Sequence, residues 1–444
     1  MQTMRVAVVG SGYVGTVTAT CLALLGHQVV GLDADAIRTQ QLAAGQLPFF
    51  EPGLPDLLRQ VLATGRLSFS SDPETAISSA ELIFLCVGTP TGPAGLPDLS
   101  QVESAVAAVA PHLQEGATVV NKSTVPVGSG NWVRTLLEEA LPREGAPEFF
   151  VVSNPEFLRE GSAVEDFLHP DRLVLGGEDG SVERVCDLYS PLLNQSFEGG
   201  RPETMPSLFV TDLASAEMIK YAANAFLATK VSFANEIASV CELVGADARQ
   251  VLPAIGADCR IGPSFLHPGI GWGGSCFGKD VAALMATGLD YGYTSPVLRG
   301  TVEVNNGQRV WVIRKLQQHL KVLKGRRVAL LGLAFKPGTD DLRDAPALEI
   351  ARRLLAAGAV VAACDPVVKQ LPEDLQAVQL HSDPYDAARR AHALVLCTEW
   401  PELTTLQAAR LAQVMRGDVV IDGRNCFDES AFRRAGLRIV GVGW

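Results

Sequence analysis

The chain has 444 residues, too many for one hydrophobic core, so two or three domains are expected. It is 47% hydrophobic with 42 glycines and 26 prolines, and its formal charge of −12 argues against a broad nucleic-acid or anionic-membrane surface. From nine cysteines with no C-x-x-C pair, a strand already at Arg5 and no bilayer-length apolar run, no zinc motif, disulfide framework, signal peptide or membrane span is expected.

The expectation is therefore a soluble, cytoplasmic α/β protein without a metal. Residues 5–9 read as a buried parallel strand, followed by Gly10-Ser11-Gly12-Tyr13-Val14-Gly15, an Ala/Leu helix to Leu25, and a second strand Gln28–Leu32 ending at Asp33. This is a βαβ unit with a dinucleotide fingerprint in its proper context. Gly10 gives the tight turn, Gly12 lets a pyrophosphate approach, and Gly15 lets helix pack on strand. Asp33 stands where an acid bonds an adenosine ribose 2′-OH, which favours NAD over NADP. Arg38 complicates that preference, since an arginine can take a 2′-phosphate.

Strands and helices then alternate. Three strand-like runs, Glu81–Val87, Ala117–Val120 and Phe149–Val152, end in polar loops. The loops are Gly88-Thr89-Pro90-Thr91, Asn121-Lys122-Ser123-Thr124-Val125-Pro126, and Ser153-Asn154-Pro155-Glu156-Phe157-Leu158-Arg159-Glu160-Gly161. Ligands of open parallel sheets bind beyond strand C-termini, which raises Thr124, Glu156 and Glu160 above ordinary caps or solvated loop residues.

Residues 212–244 read as one helix of about 50 Å, capped by Thr211 or Asp212 and closed by Gly245. Met218, Ile219, Ala222, Ala223, Phe226, Leu227, Val231, Phe233 and Ile237 make it apolar on nearly every face. It should be buried and join two lobes or two subunits. Lys220 and Asn224, at i and i+4, suggest a cation and a hydrogen-bond donor aimed at one oxygen. The competing reading is a salt bridge from Lys220 to Glu217.

In Gly271-Trp272-Gly273-Gly274-Ser275-Cys276-Phe277-Gly278-Lys279-Asp280, four glycines crowd one cysteine. A helix starting near Ser275 would put Cys276 and Asp280 on one face, with the sulfur at the positive end of the dipole, where a thiol pKa falls. The plainer reading is a buried cysteine beside a glycine-rich turn. From Arg326 a second doubly wound pattern begins, with strands 327–331, 360–364, 393–397 and 418–421 and a helix 348–355. Its first turn, Gly332-Leu333-Ala334-Phe335-Lys336, lacks the glycine fingerprint and should hold no second NAD. Lys336, Arg343 and Arg424 remain for a phosphorylated ligand. The fold expected is two doubly wound Rossmann-like domains joined by a long central helix: 1–205 for NAD, 206–310 helical with dimerisation surface and the cysteine loop, 311–444 for the phosphorylated ligand.

The motifs GSGYVG, VGTPT, KSTVPVG, SNPEFLREGSAVEDFLHPDR, EMIKYAANAFLATKVSFANE, RIGPSFLHPGIGWGGSCFGKD, GLAFKPGTDDLRDAP and DGRN stand in order along the chain. Together they resemble the UDP-glucose 6-dehydrogenases of the nucleotide-sugar dehydrogenase family. The resemblance implies a four-electron oxidation of UDP-glucose with NAD as cofactor. It makes Cys276 the nucleophile, with Lys220 and Asn224 stabilising an oxyanion. Asp280, Thr124 and Glu156 share water positioning and proton transfer in a division left open. It places Tyr13, Val14, Thr89, Ser123, Glu160, Lys279 and Arg343 near the NAD. Phe157, Leu158, Phe265, Gly273, Phe277, Lys336 and Arg424 fall at the UDP-sugar. Arg260 resembles an arginine supplied by a neighbouring subunit of a homodimer, against the alternative that it bonds loop carbonyls in its own chain. Gly278 departs from a usual proline and Trp272 from a usual tyrosine or phenylalanine. Siblings acting on GDP-mannose or UDP-N-acetylmannosamine are the nearest rivals; Ser275 disfavours the latter, which usually carries histidine there.

Overall fold

The computed structural model describes residues 3–90, 92, 97–178 and 180–444; Thr91 of the predicted loop lies outside them. The chain divides into two compact units: Met1–Ala223 with Ala282–Thr287, and Asn224–Val281 with Gly288–Trp444.

The first unit holds strands β1 (Arg5–Val9), β2 (Gln28–Leu32), β3 (Leu67–Ser70), β4 (Leu82–Leu85), β5 (Ala117–Asn121), β6 (Phe149–Ser153), β7 (Arg172–Gly176) and β8 (Ser207–Thr211). They form one sheet in the order β3-β2-β1-β4-β5-β6-β7-β8. Every pairing is parallel except β6 with β7, where Ser153 lies opposite Gly176. The strand order reverses between β1 and β4, which makes the crevice beyond their carboxyl ends the expected ligand position. These strands are apolar runs rather than alternating ones because both faces are covered. Val6, Val8, Phe84, Val120 and Val152 enter one hydrophobic cluster. Their neighbours Ala7, Val9, Ile83, Leu85, Val119 and Val151 enter the other.

The second unit holds β9 (Arg327–Leu331), β10 (Val360–Cys364), β11 (Gln379–His381), β12 (Ala393–Leu396), β13 (Val419–Asp422) and β14 (Arg438–Gly441). They form a fully parallel sheet ordered β11-β10-β9-β12-β13-β14. Both sheets are thus doubly wound about their first strand. At the end of β10, Asp365 accepts hydrogen bonds from the N–H groups of Leu333 (2.7 Å) and Ala334 (3.1 Å), as Asp33 does from Ser11 in the first unit. Here, however, the following helix starts only at Pro346, so no helix N-terminus meets the turn.

The central helix runs Leu213–Val244. Asp212 caps it by accepting from Ser215 N–H at 2.9 Å, and Gly245, at φ +78°, ends it. The expectation of burial on nearly every face fails. Met218, Phe226, Phe233, Val240 and Leu243 are exposed, Phe226 by 65% and Leu243 by 86%. Successive steps of eight, seven, seven and three residues put them on one stripe, while Ala216, Ala225, Ala228, Ala234 and Ala238 face the protein. Among the described residues no helix is long and apolar enough to cross a membrane, and no cluster of three or more His, Cys, Asp or Glu could hold a metal.

Candidate active site

In the first unit β1 runs into a left-handed Gly10 (φ +91°) whose added Cβ would lie 2.9 Å from the Val87 backbone. A Cβ on Gly15 would fall 1.8 Å from Gly10 O, so helix and turn touch there as the fingerprint requires. Above Gly12 the space is open, with no atom within 4 Å of where a Cβ would stand. Gly12 is also the N-cap of the helix Tyr13–Leu24 and carries no side-chain cap, so the first-turn N–H groups remain available to an anion. Asp33 is buried and accepts from Ser11 N–H at 2.8 Å. Arg38 donates to the same carboxylate at 3.0 Å, so the two residues read as rivals for cofactor choice form one ion pair. An adenine dinucleotide fits these residues.

The loops after β4, β5 and β6 meet in the same unit. Ser123 Oγ donates to Val87 O (2.9 Å) and Thr89 Oγ1 to Thr124 O (2.7 Å), which ties the first two together. From the third, Glu156 receives Lys220 Nζ at 2.9 Å, with both side chains about 5–6% exposed. The alternative pairing of Lys220 with Glu217 is not formed. Glu217 instead accepts from the N–H groups of Gly128 (2.6 Å) and Gly130 (2.7 Å) and from Ser153 Oγ, anchoring the loop that carries Thr124. Burial pushes the Glu156 carboxyl up, but Lys220, the Leu158 N–H and Lys122 outweigh it and hold it below its usual range. Phe157 lies under two cations, Arg172 at 4.0 Å and Lys220 at 5.5 Å from its centroid. A small cavity is lined by Thr124, Asn121, Ser153, Glu217 and Lys220 together with Val125, Pro155 and Tyr221. Lys122, not singled out from sequence, is buried behind Glu156 and donates to Asn154 Oδ1 at 3.1 Å; burial lowers its ammonium pKa.

In the second unit the helix after the glycine-rich loop starts at Phe277, two residues later than expected, so Cys276 is its N-cap residue. The partial positive charge of the first turn therefore still faces the sulfur. Asp280 N–H donates to Cys276 O at 2.8 Å. The Asp280 side chain is fully buried: Oδ2 accepts from Asn224 Nδ2 at 2.6 Å, while Oδ1 makes no hydrogen bond and has the Lys279 ammonium 3.2 Å away as an ion pair. A buried carboxylate is tolerable only with such partners. Cys276 is itself only partly buried, which discounts the reading of an inert core thiol. Behind it, Asn305 holds Trp272 through both backbone groups (2.7 and 3.0 Å), and Trp272 Nε1 reaches Ser232 at 3.0 Å. The tryptophan thus packs edge-on against Phe277 at 6.1 Å. A methyl at Gly273 would lie 2.1 Å from Asp344 O and one at Gly274 2.8 Å from Phe335, so these glycines are steric necessities. Gly278 would tolerate a side-chain carbon, its nearest neighbours being 3.4 and 3.9 Å away.

The remaining predicted residues of this unit are spread around that loop. Phe265, at φ +64°, stands 6.4 Å from Phe277. Arg424 donates to Cys397 O at 2.7 Å and to Gly271 O at 3.4 Å, and pairs with Glu399. Lys336 lies 5.6 Å from the Phe335 centroid. Arg343 pairs with Asp341, and its carbonyl accepts from Gly274 N–H. Arg260 does not bond loop carbonyls as its competing reading had it; it forms a two-pronged pair with Asp258 and remains 85% exposed.

The doubly wound sheet with its open, uncapped dinucleotide turn defines an NAD-binding dehydrogenase. Three family models match in order: the NAD binding domain of the UDP-glucose/GDP-mannose dehydrogenase family over 4–193, its central domain over 214–307, and its UDP binding domain over 329–429. A UDP-glucose 6-dehydrogenase of Rhizobium meliloti is 43% identical over 99% of both chains. One of Bacillus subtilis is 41% identical over 99% of this chain and 93% of its own. The structure of a UDP-glucose dehydrogenase from Pyrobaculum islandicum superposes with TM-score 0.90 at 37% identity, covering 100% and 98% of the two chains. The chain belongs to the UDP-glucose/GDP-mannose dehydrogenase family.

Proposed function

We propose that the protein oxidises UDP-glucose to UDP-glucuronate in two successive two-electron steps, with Cys276 as the covalent carrier. The observation that carries this reading is a part-exposed cysteine at a helix N-terminus one turn from a buried, ion-paired aspartate. An alcohol dehydrogenation alone would not need that thiol. The 41% and 43% identities to UDP-glucose 6-dehydrogenases favour this sugar over GDP-mannose and UDP-N-acetylmannosamine.

NAD+, when bound, supplies the hydride acceptor for each oxidation. Gly10, Gly12, Tyr13, Val14, Gly15, Asp33, Arg38, Thr89, Ser123, Thr124 and Glu160 of the first unit would hold it. The Cys276 thiolate adds to the C6 aldehyde, giving a thiohemiacetal; loss of a second hydride leaves a thioester, and water releases the carboxylate and the thiolate. Lys220 and Asn224, on successive turns of one helix, donate to the oxygen that gains charge at each addition. Glu156 holds the Lys220 ammonium in place through their ion pair, and Asp280 keeps Asn224 turned so that its amide is oriented. Glu156, Asp280 and Thr124 place water and pass protons. Phe157, Leu158, Phe265, Gly273, Phe277, Lys336 and Arg424 shape the UDP-sugar site. Arg260 reaches the substrate of a partner subunit in a homodimer, supported by its exposure and by the apolar stripe on the central helix. Nine cysteines, with no disulfide among the described residues, support a reducing, cytoplasmic setting.

The test is purified protein with NAD+ and a panel of UDP-glucose, UDP-N-acetylmannosamine and GDP-mannose, counting NADH per sugar. Two NADH per UDP-glucose are expected. One per sugar, or turnover confined to another nucleotide sugar, would refute the reading.

A further inference from the structure

Glu51 is a buried carboxylate that neither the fingerprint nor the catalytic loops account for. It sits in Pro48-Phe49-Phe50-Glu51-Pro52-Gly53, just before the helix Leu54–Ala63, and is 2% exposed. The phenol of Tyr13 donates to its Oε2. Gly161 N–H donates to that same oxygen at 2.6 Å, and Ala163 N–H to Oε1 at 2.8 Å. Burial, then the bond and the charge of Glu51, push the Tyr13 phenol above its ordinary range, so it stays a donor. The Tyr13 ring is also held against Phe49 at 5.0 Å.

We propose that Glu51 is a positioning residue for the dinucleotide, fixing the glycine-rich turn to the loop that carries Glu160. It rests on the reading that this turn holds NAD. Tyr13 is the first residue of the helix whose N-terminus faces the open space above Gly12, and Gly161 directly follows Glu160. A single oxygen therefore joins the two segments. The turn is pinned on both sides by buried acids: Ser11 N–H to Asp33, and Tyr13 OH to Glu51. Asp33 faces one end of the cofactor as a contact, whereas Glu51 acts through Tyr13 and the loop.

Glu51→Gln tests this, because an amide presents its nitrogen to one of three donors and leaves it unmatched. NAD+ affinity, measured by calorimetry on the full chain, should weaken about tenfold, the size of one lost charge-assisted bond. UDP-glucose affinity should change by less than about twofold, well under such a bond. Tyr13→Phe should weaken NAD+ about threefold, and the double variant should be no weaker than Glu51→Gln, because both remove one linkage. Unchanged NAD+ affinity in Glu51→Gln, or equal loss for both ligands with a lowered melting temperature, would overturn the proposal. Should Glu51→Gln fail to fold, Tyr13→Phe decides: unchanged NAD+ affinity overturns it, and selective weakening supports it. Absence of UDP-glucose binding in the unmodified protein would count against the substrate reading alone, and the NAD+ comparison would still decide this one.

Discussion

Replacing Lys220 by alanine should cost stability as well as activity, and the two losses should separate. The ammonium lies 2.9 Å from Glu156 Oε1 with both side chains about 5–6% exposed. At an effective dielectric of ~20 that separation corresponds to an attraction of about 6 kcal/mol, most of it offset by the cost of desolvating two ions. Removing one partner leaves the desolvation of the other uncompensated, for a net loss of ~3–5 kcal/mol at neutral pH. The sign with pH follows from Glu156, whose carboxyl is held below its usual range in the folded protein. Its stabilisation is present above the ordinary value of about 4.3 and is lost as pH falls through the folded value. In Lys220→Ala the burial contribution takes over and raises that carboxyl, so the deficit against the unmodified protein should shrink toward pH 5. Lys220→Ala/Glu156→Gln should recover most of the stability and none of the activity. The assay is hydrogen exchange by mass spectrometry over peptides of 149–158 and 213–223, paired with steady-state rates. A single variant losing under ~1 kcal/mol, or a double variant no more protected than the single, would refute the buried-pair argument.

Asp33→Ser should release Arg38 from its ion pair and lower the Kd for NADP+ at least ~10-fold, an arginine then facing the 2′-phosphate. An unchanged NADP+ Kd would contradict this. Cys276→Ser should stall as an acyl-enzyme ester, visible by intact mass after adding UDP-glucose and NAD+, because an alkoxide leaves less readily than a thiolate; turnover at the unmodified rate would exclude covalent catalysis here. Arg260→Ala and Cys276→Ala homodimers should each be nearly inactive, while their heterodimer regains roughly half activity if each site draws its arginine from the partner, one of two sites then being intact. No recovery after confirmed subunit exchange would place Arg260 in its own subunit's site.

The strands and the turn were legible because parallel sheets write themselves as short apolar runs ended by glycine or polar loops, and Gln28–Leu32 and Arg327–Leu331 stand where the pattern puts them. Ends moved by a residue or two, as at Cys276, where the glycines preceding it obscure the helix start. The partner of Lys220 was not legible, since Glu217 is its helical neighbour while Glu156 arrives from a different strand end. Glu51 and Lys122 escaped for the same reason: their partners, Gly161 and Asn154, are distant in sequence. An acid set between aromatic and proline residues, and a lysine at the end of an apolar strand, were the available signals. The apolar stripe of the central helix shows the reverse error, since composition counts hydrophobic residues without saying what covers them.

The alternation of Val6 and Val8 toward one cluster and Ala7 and Val9 toward the other has a consequence for how this sequence can change. Deleting one residue from β1 would exchange the guests of both cores at once, and would drag Gly10 off the Val87 backbone it touches. Length variation is thereby barred from the strands and pushed to their amino ends, where the loops meet no ligand. Substitution and length change are thus separated in space: the sheet works as a ruler whose graduations hold the reactive loops at fixed height, leaving the opposite rim to drift.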